Sequence, residues 1–420
     1  MNSIWQQIFQ TSGARALALI ISLASLSVTA RVLGPEGRGI IAGATTWINL
    51  LAIMGSLSVG QVMIHRAASS RDLSWVGSAF GAGLVLACGL SGIIWVSALV
   101  VGYFAGGTYG QLPRWALVVV FASLPFAMWE RFGSQLLICT GHLRFFNQRL
   151  ILASLVGFLG LMIALLLFDW GVIGGLAMIV FSNVLVSTTG IKRLWGISGK
   201  CFIVRSSELF ALVKDGLKLH LHSVGGAFLT LSGILLVNYY GSPSEVGWYQ
   251  LAVQMVTALM IVPQAVWVVL NEKIAGKGPD KVWPLQRTLL VQNVGLMLLI
   301  IAISYVAAPY AVMFVAGENF SPSVELFRIM LPSVFGMSLS YFMGSQWLGR
   351  GLFWQTAFLT SLFGAINLIL NLIYLPKFGV SAAAWSMTIV YTLMVFTNLG
   401  MAAYVEVQWR KRRSLLEVAV

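Results

Sequence analysis

The sequence predicts an all-α, polytopic membrane protein of about twelve transmembrane helices, on three observations. Hydrophobic residues make up 58% of the 420-residue chain and charged residues only 9%, where a soluble domain carries about 25%. Apolar runs of the ~20 residues needed to cross a bilayer recur from end to end. The basic residues fall in alternate loops. This composition leaves no room for a sizeable soluble domain. It assigns the net charge of +13 to cytoplasmic loops rather than to nucleic-acid binding.

The N-terminal stretch MNSIWQQIFQTSGARALALIISL lacks the basic n-region and small-residue cleavage site of a secretory signal. It reads as a short tail leading into a retained first span. The apolar runs place spans at 11–33, 40–64, 75–102, 115–140, 149–168 and 171–191, then at 217–240, 246–271, 286–315, 324–348, 354–375 and 379–404. Gly34-Pro35-Glu36-Gly37 forms a tight turn between the first two, flanked by Arg31 and Arg38. Loops after the even-numbered spans hold Arg66 and Arg71, Arg144 and Arg149, Lys192 to Lys218, Lys273 to Arg287, Arg350, and Arg410 to Arg413. The other loops hold only Arg38, Arg114 and Lys377 beside Glu36, Asp169, Glu245, Glu318 and Glu325. By the positive-inside rule both termini are cytoplasmic. Within 197–216, Leu209, Phe210, Leu212 and Val213 share one helical face, which predicts a short helix lying at the cytoplasmic interface. That linker divides an N-terminal six-helix lobe (1–196) from a C-terminal one (217–405), followed by a basic tail (406–420). The spacings Gly77-x-x-x-Gly81 and Gly171-x-x-x-Gly175 read as helix-packing seams.

The two halves echo one another. Pro35 and Gly39 return as Pro243 and Gly247, 208 residues later. Gly133-Ser134-Gln135 returns as Gly344-Ser345-Gln346, 211 residues later, each preceded in its span by a proline, Pro125 and Pro332. Six spans per half is an even number, so both halves enter the membrane in the same sense. A parallel repeat of this kind predicts a cavity between the lobes.

Five ionisable residues fall inside spans or at their edges: Arg15, Arg31, Glu130, Arg131 and Arg328. A charge at mid-helix costs about 2.5–3.5 kcal/mol even on the lenient insertion scale, so water or an ion partner must offset it. At 1.5 Å per residue, Glu130 and Arg131 lie about 15 Å from the cytoplasmic end of their span. Arg15 falls in the inner leaflet, Arg31 and Arg328 near the outer face. Sharing one lumen, these arginines would form a staircase for an anion, with Arg15 or Arg31 within reach of Glu130. The competing reading for Arg31, Arg38 and Arg328 is interfacial snorkelling. For the Glu130–Arg131 pair it is structural ion pairing.

No P-loop, H-E-x-x-H or C-x-x-C run occurs, and Cys88, Cys139 and Cys201 are scattered. His220 and His222, two apart, lie on different helix faces. The loop near 103–114 contains no Asp, Glu or His, which argues against an enzyme.

On these residues the chain resembles the polysaccharide-biosynthesis flippases of the multidrug/oligosaccharidyl-lipid/polysaccharide (MOP) exporter superfamily. The turn R-x-L-G-P-E-G-R-G at Arg31–Gly39 and the weaker Gly-x-Tyr at Gly247–Tyr249 carry the resemblance, with the six-plus-six layout. It implies a MATE-like pair of lobes around a cationic cavity in a bacterial inner membrane. It also implies a transporter, not an enzyme. That transporter would move an undecaprenyl-diphosphate-linked oligosaccharide from the cytoplasmic to the outer leaflet by alternating access, for O-antigen or exopolysaccharide synthesis. Arg15, Arg31, Arg131 and Arg328 are the candidate lining cations, and Glu130 is the candidate coupling site for a proton or sodium gradient. No cofactor or metal is expected. The expected partners are the lipid-linked substrate, membrane lipid, and the polymerase and synthase of the same pathway. Two other readings stand beside it: a cation-coupled multidrug exporter of the same superfamily, and a membrane-embedded glycosyltransferase or polymerase.

Overall fold

The computed structural model describes residues 2–69, 75–104, 112–199 and 204–418. Every regular element among them is helical. The expectations at Arg71, Cys201 and most of 103–114 fall outside these residues.

Helix α1 (Asn2–Gly55) holds the first expected span and most of the second in one element, folded at Gly34. Gly34 takes φ 66°, a left-handed backbone that glycine adopts without steric cost. Pro35 follows with its φ already fixed for a helix start. The two arms lie side by side, since residues 21–29 and 38–45 line one cavity. The second arm breaks at Leu57 and Ser58, both at positive φ, and resumes as α2 (Val59–Ser69).

The chain continues as α3 (Val76–Phe104), α4 (Arg114–Cys139), α5 (Leu143–Met162, extended by a π turn to Leu167) and α6 (Gly171–Ile197). Then come α7 (Ser206–Tyr240), α8 (Pro243–Ala258), α9 (Ile261–Lys277), α10 (Pro279–Val315), α11 (Pro322–Gly349), α12 (Phe353–Phe378) and α13 (Val380–Val418). Among the described residues nine helices are long and apolar enough to cross a membrane, and α8 with α9, bent by 47°, makes a tenth. The arms of α1, with α2, occupy the positions of the first two expected spans.

The interfacial helix expected at 197–216 is not a separate element. Helix α7 runs unbroken from Ser206 to Tyr240. No proline interrupts it, and Gly216 is a contact point rather than a breaker. A Cβ there would come within 2.3 Å of the Leu57 carbonyl oxygen. The same junction holds Ser58 Oγ 2.8 Å from Ser223 Oγ and 3.2 Å from His220 Nδ1. The basic tail is likewise helical, continuing α13. Glu406 accepts from Arg410 Nε (2.7 Å), Arg287 Nη1 (3.1 Å) and Trp283 Nε1 (2.7 Å), while Asp280 pairs with Arg350 and Arg412.

The sequence echoes are spatial ones. Pro125 and Pro332 both lie inside helices, α4 and α11. Each of those helices ends within two residues of a left-handed glycine, Gly141 and Gly351. The largest apolar core gathers residues 229–391, with Ala42 joining from α1. Two further clusters gather residues 52–212 and 41–176. Gly175 packs on Ile41, but Gly171, its partner in the small-residue spacing, would carry a Cβ with nothing within 4 Å and serves instead as a left-handed turn residue.

Candidate functional site

A cavity of about 360 Å³ is lined by both arms of α1, by α5 and α6, and by α8. Its wall is polar for a membrane interior. The first arm supplies Ser22, Ser25 and Thr29, and the second arm Arg38 and Thr45. Helix α5 supplies Ser154, α6 Ser182 and Asn183, and α8 Gln250 and Gln254. Among the described residues, no Asp or Glu lines it.

The local structure sets the polarity of each group. Ser25, Thr29 and Thr45 donate to carbonyls of their own helix at 2.8–3.0 Å. Each hydroxyl proton is thereby used and each oxygen remains an acceptor. Arg38 is the one cation of the lining among the described residues. Its Nη2 reaches Gln254 Oε1 only at 3.4 Å, at the long limit of a hydrogen bond. Its Nε is buried without a partner among the described residues, and so is Gln250 Oε1. Buried polar atoms are nearly always paired in folded proteins, and a ligand in this cavity can partner both the Arg38 Nε and the Gln250 amide oxygen. Arginine offers a planar fork of donors suited to phosphate oxygens. The back-bonded hydroxyls offer acceptors to a sugar.

The arginine staircase expected from depth along the spans is not what the geometry brings together. Arg31 is exposed and donates Nη2 to the Phe314 carbonyl at the end of α10. Arg328 is half-buried, with Nε 3.2 Å from the Tyr305 carbonyl and its guanidinium 4.6 Å from the Tyr305 ring centroid. Neither lines the cavity. Both use the apolar stem and charged tip as snorkelling arginines do. Arg131 is half-buried on α4 and does not line it either. The side chain of Arg15 lies outside the described residues.

Glu130 is held by Arg149, while Arg31 bonds elsewhere. Arg149 Nη2 donates to Glu130 Oε1 at 2.7 Å and to Ser134 Oγ at 3.0 Å, and Nη1 donates to the Val186 carbonyl at 3.0 Å. Ser134 also donates to Glu130 Oε1. Arg149 is 4% exposed, and Gly190 leaves room for it, since a Cβ there would lie 2.3 Å from Nη1. This network ties α4, α5 and α6 together. Apolar patterning puts Arg149 in a loop, whereas α5 already begins at Leu143 and carries the arginine into the membrane. Patterning puts Arg38 in a loop as well, whereas the second arm of α1 is helical from Pro35 onward. The readable signals are that proline, and the Gln250/Gln254 pair four apart on an otherwise apolar stretch.

Among the described residues no group of three or more His, Cys, Asp or Glu is placed to hold a metal.

The family described as polysaccharide biosynthesis protein matches residues 4–269. No curated protein matches the chain. Among solved structures, a multidrug resistance MATE family transporter of the MOP superfamily, inward-facing, is similar with a TM-score of 0.70. It is 15% identical, with 95% of each chain covered. Lipid II flippase MurJ in an inward closed conformation is similar with a TM-score of 0.73 and 12% identity, over 97% of this chain and 92% of that one. A MOP superfamily transporter from Pyrococcus furiosus, whose binding pocket is described as reversed in polarity, gives 0.60 and 14%, over 98% and 96%. The fold is the MATE-like architecture of MOP-superfamily transporters.

Proposed function

The chain belongs to the polysaccharide biosynthesis protein family, and from that premise we propose that it carries an undecaprenyl-diphosphate-linked oligosaccharide from the cytoplasmic to the outer leaflet of a bacterial inner membrane. Alternating access of two lobes, with both termini cytoplasmic, moves the polar head while the lipid tail stays in the bilayer. The single observation behind this is the cavity: one incompletely partnered cation, several acceptor hydroxyls, two glutamines and no carboxylate among the described residues. Arg38 takes the diphosphate, the hydroxyls and amides take the sugars, and a polymerase and synthase of the pathway act before and after.

Deletion of the gene, in a strain with no second flippase, should strand lipid-linked repeat units on the cytoplasmic leaflet. Lipid extraction with leaflet-selective labelling measures this, and normal outer-leaflet appearance of the units ends the proposal. A second reading, a cation-coupled multidrug exporter, draws on the likeness to the multidrug resistance transporter. Glu130, whose Oε2 has no partner among the described residues, would be its coupling acid. Efflux of cationic dyes that depends on Glu130 would decide for it.

A further inference from the structure

A smaller cavity of about 220 Å³ opens where the ends of α10, α11 and α13 meet. It is lined by Pro279, Asp280, Arg350, Leu352, Tyr404 and Arg412. It lies at the end of the molecule that carries the basic loops and shares no lining residue with the cavity of Arg38. Pro279 and Asp280 open the 37-residue α10. The N–H groups of that first turn have no intrahelical partner, and the positive end of the helix dipole falls at the same corner. Gly351, at φ 73°, turns the chain after α11 and brings Leu352 into the wall.

Arg350 is built into this site. Its side chain is only 10% exposed. Nε donates to Gln346 Oε1 at 3.1 Å and Nη2 to Asp280 Oδ1 at 2.6 Å, which leaves Nη1 without a partner among the described residues. Gln346 is fixed in turn, since its Nε2 donates to Gln286 Oε1 at 2.7 Å and to the Pro279 carbonyl at 3.3 Å. Arg412, reaching over from α13, donates to the other oxygen of the same carboxylate. Two guanidiniums thus share one carboxylate, and the lining keeps an excess of positive charge beside open space. The rim is aromatic. Phe353 and Trp354 follow Leu352, and both are exposed, as is Tyr404. Exposed Trp and Tyr collect at the headgroup level of a bilayer, and basic pockets between membrane helices hold anionic headgroups. The planar fork of arginine matches phosphoryl oxygens.

We propose that this cavity binds the phosphodiester of an acidic phospholipid, held by Arg350 and Arg412 with the first turn of α10 behind it. The bound headgroup ties the end of α13 to α10 and α11, while the acyl chains run past Phe353 and Trp354 into the surrounding leaflet. The site does not depend on the cargo reading, and its test reads binding rather than transport.

Native mass spectrometry of the full-length protein in detergent counts retained lipid, with phosphatidylglycerol as the probe and phosphatidylcholine as the neutral comparison. The parent should retain phosphatidylglycerol in preference to phosphatidylcholine. Arg412→Gln, a change at a largely exposed side chain that leaves the fold intact, should weaken that retention at least about fivefold, the worth of one arginine near a lipid phosphate. Arg410→Gln removes the same charge from the same helix but no lining group, since Arg410 bonds Glu406, and should weaken it much less. Equal losses in the two variants, or no preference in the parent, overturn the site and leave diffuse surface attraction. Thermal unfolding with inorganic phosphate in place of lipid supplies the other arm. A rise that depends on Arg412 and equals the rise given by phosphatidylglycerol would assign the pocket to soluble phosphate and overturn the lipid as its occupant.

Discussion

Two arginines, one buried and one half-buried, sit on neighbouring helices of the same half and do opposite things. Arg149 commits its donors to Glu130, Ser134 and the Val186 carbonyl, all at 3.0 Å or less. Among the described residues Arg38 has a single long contact, to a neutral amide, and an orphan Nε. A charge whose neighbours already satisfy it holds helices together, while one left short of partners is set for a ligand. Intramembrane charge is a functional hypothesis by default, and partner counting is what sorts the structural cases from the rest. The second half supplies a control. At the echo of Ser134, Ser345 and Gln346 bond Gln286 at 3.3 and 2.7 Å, an amide clamp that Arg350 joins from its end, through Gln346 Oε1 at 3.1 Å. The position needs a polar clasp between helices, and charge is one way of making it.

The comparison breaks most sharply at Arg149. Arg149→Met leaves the half-buried Glu130 carboxylate, 32% exposed, with only Ser134 as donor among the described residues, and should cost about 1–2 kcal/mol, less than a fully buried pair would because solvent screens the exposed partner. Thermal unfolding in detergent measures it. Adding Glu130→Gln to that variant should recover part of the loss. A variant as stable as the parent would erase the distinction drawn here. Arg38→Gln should do the converse. Transport of lipid-linked sugars falls at least about tenfold, equivalent to about 1.4 kcal/mol, with unfolding changed by less than about 1 kcal/mol. Arg38→Lys should restore only part, because an ammonium lacks the planar fork. The smallest effect belongs to Glu36→Gln. Glu36 is exposed in the opening turn, and stability should move by less than about 0.5 kcal/mol with transport unchanged. A transport defect there would shift weight from the cavity to the mouth.

Much of the fold is legible in the sequence because a bilayer forces helices to be long and apolar, and because Gly34-Pro35 dictates its turn by backbone sterics alone. The alternation of charge and the Ser134/Ser345 echo are legible for the same kind of reason: they are local. What one dimension does not hold is which helix a side chain meets. Glu130 and Arg149 are 19 residues apart on successive helices, and nothing in their spacing shows that α4 and α5 bring them face to face. Depth along a span groups Arg31 and Arg328 with the cavity. Direction around the helix requires neighbours, and those place both arginines on the carbonyls of α10. The polar stripe of α8 and the hydroxyls of α1 are present in the sequence, but each is a modest signal until five helical segments converge on one space.

Arg38 stands between Gly37, where a Cβ would strike Leu33, and Gly39, where it would strike Pro243. The backbone that carries the cation is pinned on both sides and cannot be retuned by changing its neighbours. Divergence of this chain toward other cargoes is therefore channelled to the opposite wall, at Ser154, Ser182 and Asn183, where side chains can be exchanged one at a time. A scaffold built this way can vary that wall while the segment bearing its cation stays fixed in place.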